Sequence, residues 1–302
     1  MVQSKGFRRY LGRPYLRTNL WIWNRLSTFL PSTRLGRLYG VHLHKLVQLR
    51  STRRQYTGTF FFRNRPEIEL LIRLLDRTER PSEVELAILG CSKGAEVYSF
   101  SFAIHTSRPE LKLQIRAVDI DPEVVEFAEG GVYYLGNRAR KQDSGLDPLP
   151  PLGELAAKTS GDQSTSVFER MSTDEIAAMF ECEGERARVR PQFRENIAWS
   201  VGDAGDPKLV DEFGLQDIVV ANRFLCHMQP REAETCLRRL AGLVKPGGYL
   251  FVSGVDLDVR TKVARDFGWR PVTELTHEIH EGDQSLRNDW PLQYWGLEPF
   301  DR

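Results

Sequence analysis

The chain has 302 residues, 41% hydrophobic and 27% charged, with a net charge of +1, the balance of a soluble globular protein. No window approaches the ~18 uninterrupted apolar residues of a membrane span. The four cysteines, Cys91, Cys182, Cys226 and Cys236, show no metal-ligand pairing and suit a reducing, cytoplasmic setting rather than a disulfide framework.

The small net charge conceals an asymmetry. The first 66 residues hold 14 Lys/Arg and no Asp or Glu, whereas the remaining 236 hold 28 basic and 41 acidic residues. Residues 1–55 also carry Trp21, Trp23, Phe29 and several leucines, interrupted by Pro31. Such an arm suits a polyanion, a membrane surface or an acidic partner. It equally suits packing on the acidic body of its own chain. An interfacial amphipathic helix and an organelle transit segment are further readings of the same stretch. No specific nucleic-acid partner is expected.

A better specified helix follows. Asn64, Pro66 and Glu67 read as an N-cap, a first-turn proline and a capping-box acid, and Ile68, Leu71, Ile72 and Leu75 keep helical spacing. Arg80-Pro81-Ser82 ends it. The expected division is a basic helical region over 1–80 and a main domain over 81–302 with an aromatic C-terminal extension.

From about residue 84 the elements alternate. Strands are expected at Leu86–Leu89, Ile115–Val118, Ile197–Val201, Ile218–Ala221 and Tyr249–Ser253, the last entered through the turn Lys245-Pro246-Gly247-Gly248. Helices are expected at Glu96–His105, Pro122–Glu129, Thr173–Phe180 and Pro230–Leu243. Residues 137–166, rich in Pro, Gly, Ser and charge, read as a long surface loop. The alternation predicts an α/β fold with a parallel, doubly wound sheet.

The clearest chemical signal runs from Gly90 to Asp121. A strand ends in the small-residue turn Gly90-Cys91-Ser92-Lys93-Gly94-Ala95-Glu96, and the next strand stops at Asp119-Ile120-Asp121. Glycines in such a turn let backbone approach a ligand, and an acid at the second strand end can accept ribose hydroxyls. The turn lacks the G-x-G-x-x-G spacing that closes backbone amides on a pyrophosphate. A looser turn followed by an acid suits S-adenosylmethionine, which has an amine and a ribose and no phosphate, better than NAD.

These motifs resemble a known family. Gly90-Cys91-Ser92-Lys93-Gly94-Ala95-Glu96-Val97-Tyr98-Ser99 resembles the G-C-S-T-G-E-E-P-Y-S of CheR-type methyltransferases, which methylate chemoreceptor glutamates. Asp119-Ile120-Asp121 matches that family's D-I-D, and Thr57-Gly58-Thr59-Phe60-Phe61-Phe62-Arg63 is similar to its N-x-T-x-F-F-R. The run from Asp217 to Met228 is similar to its D-x-I-x-C-R-N-V-x-I-Y-F, and Leu243–Leu250 resembles the helix-turn-strand late in the class I methyltransferase fold. The resemblance spans roughly residues 57–255.

It implies a Rossmann-like class I methyltransferase sheet and S-adenosylmethionine as cofactor. By resemblance Gly90, Ser92 and Gly94 form the cofactor turn, Glu96 meets the methionine amine, and Asp119 meets the ribose. Thr59 and Arg63 lie by the methionine carboxylate and the reacting centre. Asn222 and Arg223 line the pocket floor, and Asp203 is counted with the cofactor-binding residues. The departures begin in the turn, where the family's Glu-Pro reads Ala95 with Val97 while Glu96 keeps the second acid, and continue on the acceptor side. The family's Arg-Asn pair is reversed as Asn222-Arg223, and its Tyr aligns with His227. A carboxylate acceptor is already ionised at neutral pH. A hydroxyl acceptor gains from a positioned base, and histidine titrates in the right range. His227 and Arg63 are therefore the catalytic candidates, although His227 can equally be a packing residue at the strand end.

Beyond residue 255 the resemblance ends. His277 and His280 share a helix face but fix no third metal ligand, so a solvated acidic helix is expected and no metal. Trp290, Tyr294 and Trp295 form an aromatic tail that either closes over the acceptor pocket or packs on the domain. Three functions stay open at this point. They are an O-methyltransferase of a small molecule or saccharide, a protein-glutamate methyltransferase, and a non-catalytic cofactor-binding sensor or membrane adaptor.

Overall fold

The structure is a computed structural model describing residues 59–77, 82–135 and 167–282, with isolated positions at 18, 35, 38, 39 and 42. Most of the basic arm, the loop expected at 137–166 and the aromatic tail lie outside the described residues. Among the described residues no helix is long and apolar enough to cross a membrane.

Five parallel strands make the main sheet: β1 (Glu83–Leu89), β2 (Lys112–Asp119), β6 (Ile197–Val201), β7 (Gln216–Asn222) and β8 (Val244–Ser253), in the order β6-β2-β1-β7-β8. The chain starts in the middle, winds outward through β2 to β6, then returns to lay β7 against the other side of β1. Neighbouring crossovers leave β1 and β7 in opposite directions there, which opens a crevice beyond their carboxyl ends.

Period-2 alternation builds both faces of this sheet. Val84, Leu86 and Ile88 of β1 turn to one side with Ile115, Ala117, Ile218 and Val220. They meet Leu71 and Leu75 of α1 (Arg65–Arg77) and Val97, Phe100 and Ile104 of α2 (Ala95–Ser107). Ala87 and Leu89 turn to the other side with Val118, Val219 and Ala221. There they meet α5 (Lys208–Phe213), α6 (Pro230–Gly242) and α7 (Leu257–Asp266) through Leu209, Phe213, Leu237, Leu240, Val259 and Val263. Strands covered on both faces read as near-continuous apolar runs, which is why Leu86–Leu89 stood out in the sequence.

Local signals set the helix ends. α3 (Pro122–Gly130) starts on Asp121, whose side chain accepts from the Glu123 N–H at 3.1 Å, carries proline at its first position and ends on left-handed Gly131. α4 (Thr173–Met179) opens with a capping box between Ser172 and Glu175. Glu175 also takes a two-pronged bond from Arg65, at 2.7 and 2.8 Å, tying α4 to α1. At the other end of the sheet Lys245 pairs with Glu85 at 2.8 Å and Asp217 at 3.1 Å.

Three features differ from expectation. Phe180, read as the end of a helix, instead opens a strand. β3 (Val132–Tyr134), β4 (Phe180–Glu183) and β5 (Arg186–Val189) form an antiparallel sheet in the order β3-β5-β4. Its inner face packs Phe61, Tyr133, Phe168 and Phe180 into one aromatic cluster with ring centroids 4.9–6.2 Å apart. The Lys245–Gly248 turn lies inside β8 as a register break, because Gln216 pairs with Val244 while Ile218 pairs with Tyr249.

Candidate functional site

Several of the residues singled out in the sequence stand at the carboxyl ends of β1, β2 and β7. The turn after β1 carries positive φ at Gly90 (71°), Ser92 (49°) and Gly94 (80°). A Cβ on Gly90 would come within 3.0 Å of the Phe224 ring, and one on Gly94 within 3.0 Å of Ala128 and 3.1 Å of Trp199. Both positions need glycine for conformation and for space. Gly90 and Cys91 also donate their N–H groups to the Val118 carbonyl, which holds the turn against the end of β2.

Asp119 ends β2 with both oxygens engaged: one accepts the Ser92 N–H at 2.8 Å and the other the Asp121 N–H at 3.1 Å. A carboxylate offers about four acceptor positions, so this anchoring leaves capacity for two further donors, as a ribose diol requires. The cap of α3 is Asp121 rather than Asp119, which removes helix capping as the role of Asp119. Asp203 lies just past β6, where its side chain accepts the Gly205 N–H at 2.8 Å, and neighbouring Gly202 donates to the Asp119 carbonyl at 2.9 Å.

Glu96 sits in the first turn of α2 and accepts from the side-chain amide of Asn222 at 3.0 Å. Asn222, 8% exposed at the end of β7, also donates to Glu67 at 2.6 Å and accepts the Ser253 hydroxyl at 2.8 Å. The capping-box reading of Glu67 thus misses its role: the side chain is buried on α1 and reaches the site. The N-cap Asn64 is as expected, accepting the Glu67 N–H at 3.4 Å.

The Thr59–Arg63 segment is laid against α2 by a bond from the Phe62 N–H to the Ser99 hydroxyl, 2.9 Å. Thr59 is buried, and Arg63 lies beside Phe60 with its guanidinium 5.8 Å from the ring centroid. Arg170 faces the same ring at 5.4 Å and donates to the Arg63 carbonyl. Arg223 follows β7 in a left-handed conformation (φ 60°), its N–H bonded to the Ser253 carbonyl at 3.0 Å. A side chain on Gly254 would meet the Cα of Arg223 at 2.9 Å, so this close packing fixes where Arg223 begins.

Burial pushes the Cys226 thiol up to about 11, although the nearby Arg223 and Arg63 charges pull the other way. Its sulfur donates to the Arg223 carbonyl at 3.3 Å. Only the thiolate reacts with alkylating agents, and a pKa near 11 leaves roughly one thiol in a thousand ionised at pH 8. Brief iodoacetamide treatment at pH 8, read by peptide mass spectrometry, is therefore expected to label exposed Cys182 and spare Cys226, Cys91 and Cys236. Labelling of Cys226 ahead of Cys182 would contradict the burial that raises the Cys226 thiol.

The backbone of His227 closes a 3-10 turn, Leu225–His227, beyond the end of β7 rather than at the strand end itself. Its side chain lies outside the described residues. His277 and His280 stand on α8 (Thr276–Gly282), which is attached to α1 by a 2.9 Å bond from the Asn64 amide to the Ile279 carbonyl. Among the described residues no three His, Cys, Asp or Glu side chains come together as a metal site.

The chemistry of these groups fits the parts of S-adenosylmethionine. Glu96 suits an ammonium, Thr59 and Arg63 a carboxylate, and anchored Asp119 a diol. Comparison with known proteins agrees: residues 57–140 match the CheR methyltransferase, SAM binding domain. Residues 57–140 are thus similar to the S-adenosylmethionine-binding domain of CheR-type methyltransferases.

The CheR-type match covers the Thr59–Arg63 segment, the glycine turn, Glu96 and Asp119. An uncharacterized 104.1 kDa protein in the hypE 3′ region of Rhodobacter capsulatus is 25% identical over 231 residues, covering 72% of this chain and 21% of that protein. The chain thus spans about a fifth of the length of that relative. Among solved structures, MNMC2 from Aquifex aeolicus is 15% identical over 87% of this chain and 78% of its own, with a TM-score of 0.39. An O-methyltransferase family protein from Burkholderia thailandensis is 14% identical over 91% and 63%, with a TM-score of 0.34. Magnesium protoporphyrin IX methyltransferase (ChlM) from Synechocystis PCC 6803 is 13% identical over 67% of each chain, with a TM-score of 0.32. These superpositions are loose.

Proposed function

We propose that this protein is an S-adenosylmethionine-dependent O-methyltransferase whose acceptor is a small molecule or saccharide bearing a hydroxyl. The observation that carries the methyltransferase reading is the joining of anchored Asp119 with the Glu96–Asn222 pair at the crevice between β1 and β7. The cofactor supplies an electrophilic methyl group on a sulfonium. Asp119, Glu96, Thr59 and Arg63 bind and orient it from two sides. Much of the rate of an in-line displacement comes from such alignment.

The hydroxyl reading rests on His227, which follows the pocket-floor residues Asn222 and Arg223 and stands where the CheR family has tyrosine. An imidazole there can take the hydroxyl proton, a role worth about 10²–10⁴-fold. One observation favours a second reading. Arg63 and Arg170 both face Phe60, and two guanidiniums at one ring suit a carboxylate acceptor such as a protein glutamate.

Release of S-adenosylhomocysteine, measured over separate pools of hydroxyl and carboxylate acceptors, tests these readings. For a hydroxyl acceptor, His227→Phe is expected to lower kcat/KM about 100-fold by removing the base. Turnover of carboxylates alone, indifferent to His227→Phe, would replace the first reading with the second. Cofactor binding with no turnover in any pool would leave a non-catalytic cofactor sensor.

A further inference from the structure

We infer that Glu67 is a positioning residue for the cofactor's amino-acid end, acting through Asn222 on Glu96. This rests on the cofactor reading above.

Asn222 offers two amide hydrogens and one carbonyl oxygen. Both donor contacts go to carboxylates carried by different helices, Glu67 of α1 at 2.6 Å and Glu96 of α2 at 3.0 Å. The oxygen takes the Ser253 hydroxyl of β8 at 2.8 Å. A carboxylate only accepts, so the amide must turn its nitrogen toward the two acids. The Ser253 hydroxyl can donate or accept, so it does not by itself fix which way the amide faces. That choice falls to Glu67 and Glu96.

The two acids differ in what else they can do. Glu67 is 7% exposed and held within α1, one of the helices covering the sheet. Glu96 is half-buried at the start of α2 and borders the crevice. A ligand ammonium that engages Glu96 competes with Asn222 for its oxygens. Glu67 keeps the amide oriented during that exchange, so the second Asn222 N–H continues to hold Glu96 in place. A helix outside the nucleotide-binding turn thereby sets the aim of the ammonium-binding acid.

The test separates the amino-acid end from the nucleoside. S-adenosylhomocysteine carries both, and 5′-methylthioadenosine carries only the nucleoside. Calorimetric titration of Glu67→Met, which keeps the length and removes the acceptor, should show S-adenosylhomocysteine bound about 10-fold more weakly, in line with loss of one hydrogen bond to a charged group. Affinity for methylthioadenosine should stay within about twofold of wild type, and Glu67→Gln, which restores an acceptor, should recover most of the loss.

A Glu67→Met variant that weakens both nucleosides equally, or neither, overturns the assignment. So does a Glu67→Gln variant no better than Glu67→Met. Wild type that binds neither nucleoside overturns the cofactor reading and this assignment with it. Should Glu67→Met not fold, the Asn222 side-chain amide resonances of wild type decide. They should shift on adding S-adenosylhomocysteine and stay still with methylthioadenosine; the same response to both overturns the inference.

Discussion

Replacing Asp119 by alanine is expected to weaken S-adenosylmethionine binding by about 100-fold or more. Two losses combine. The ribose loses its acceptor, and a hydrogen bond to a charged group is worth about 1.5–3 kcal/mol. The Ser92 and Asp121 N–H groups also lose the carboxylate that holds them at 2.8 and 3.1 Å. Ser92 sits at a φ of 49°, a conformation that non-glycine residues keep only when their surroundings enforce it. Releasing its N–H lets the turn relax away from the ligand. Asp119→Asn keeps one acceptor and offers a donor where the other oxygen was, so an intermediate loss of about 10-fold is expected. Calorimetric titration of the three proteins checks the order, and equal affinity of wild type and Asp119→Ala would remove Asp119 from the site.

The largest stability effect is expected at Phe61. Its ring is fully buried, stacked on Phe168 at 5.4 Å and edge-on to Tyr133 at 4.9 Å and Phe180 at 5.1 Å. Phe61→Ala should cost about 3–5 kcal/mol. At about 2–4 °C per kcal/mol for a domain of this size, Tm falls by roughly 6–20 °C. Function should suffer as well. Phe61 is the buried anchor of the segment that carries Thr59 and Arg63, and it joins that segment to the antiparallel sheet through one aromatic cluster. Phe61→Leu restores part of the volume and should recover about half of the Tm loss. A Phe61→Ala protein melting within 2 °C of wild type, by the same scale, would show that the cluster adds little.

Much of this was legible because the fold and the cofactor turn obey strong local rules. β1, β2 and β7 are buried on both faces, so their apolar runs announced them. The positive φ at Gly90 and Gly94 is what a tight turn after a strand asks of glycine, and the acid ending β2 closes an apolar run. The antiparallel sheet was not legible. β4 and β5 have four residues each, and only Phe180, Ala187 and Val189 of them are buried. That falls below any periodic signal and depends on aromatic partners distant in the chain.

Glu67 is a different case. Glu67, Leu70, Leu71 and Leu74 lie at i, i+3, i+4 and i+7, so the acid stands on the apolar stripe of α1. An acid among core leucines needs a buried partner. The capping-box pattern with Asn64 supplied a plausible local role and masked that signal. The partner, Asn222, is 155 residues away and could come only from the fold. His227 remains defined by its neighbours in sequence. Its backbone lies in a 3-10 turn past the end of β7.

The turn after β1 lacks the glycine spacing of a dinucleotide site, so the crevice between β1 and β7 is expected to take S-adenosylmethionine and to refuse NAD. Parallel calorimetric titrations of the wild-type protein with S-adenosylmethionine and with NAD test it most directly. One S-adenosylmethionine per chain, with a Kd in the range of about 1–100 µM, and no measurable NAD binding is the predicted result. No heat with S-adenosylmethionine, or NAD binding as tightly, would contradict it.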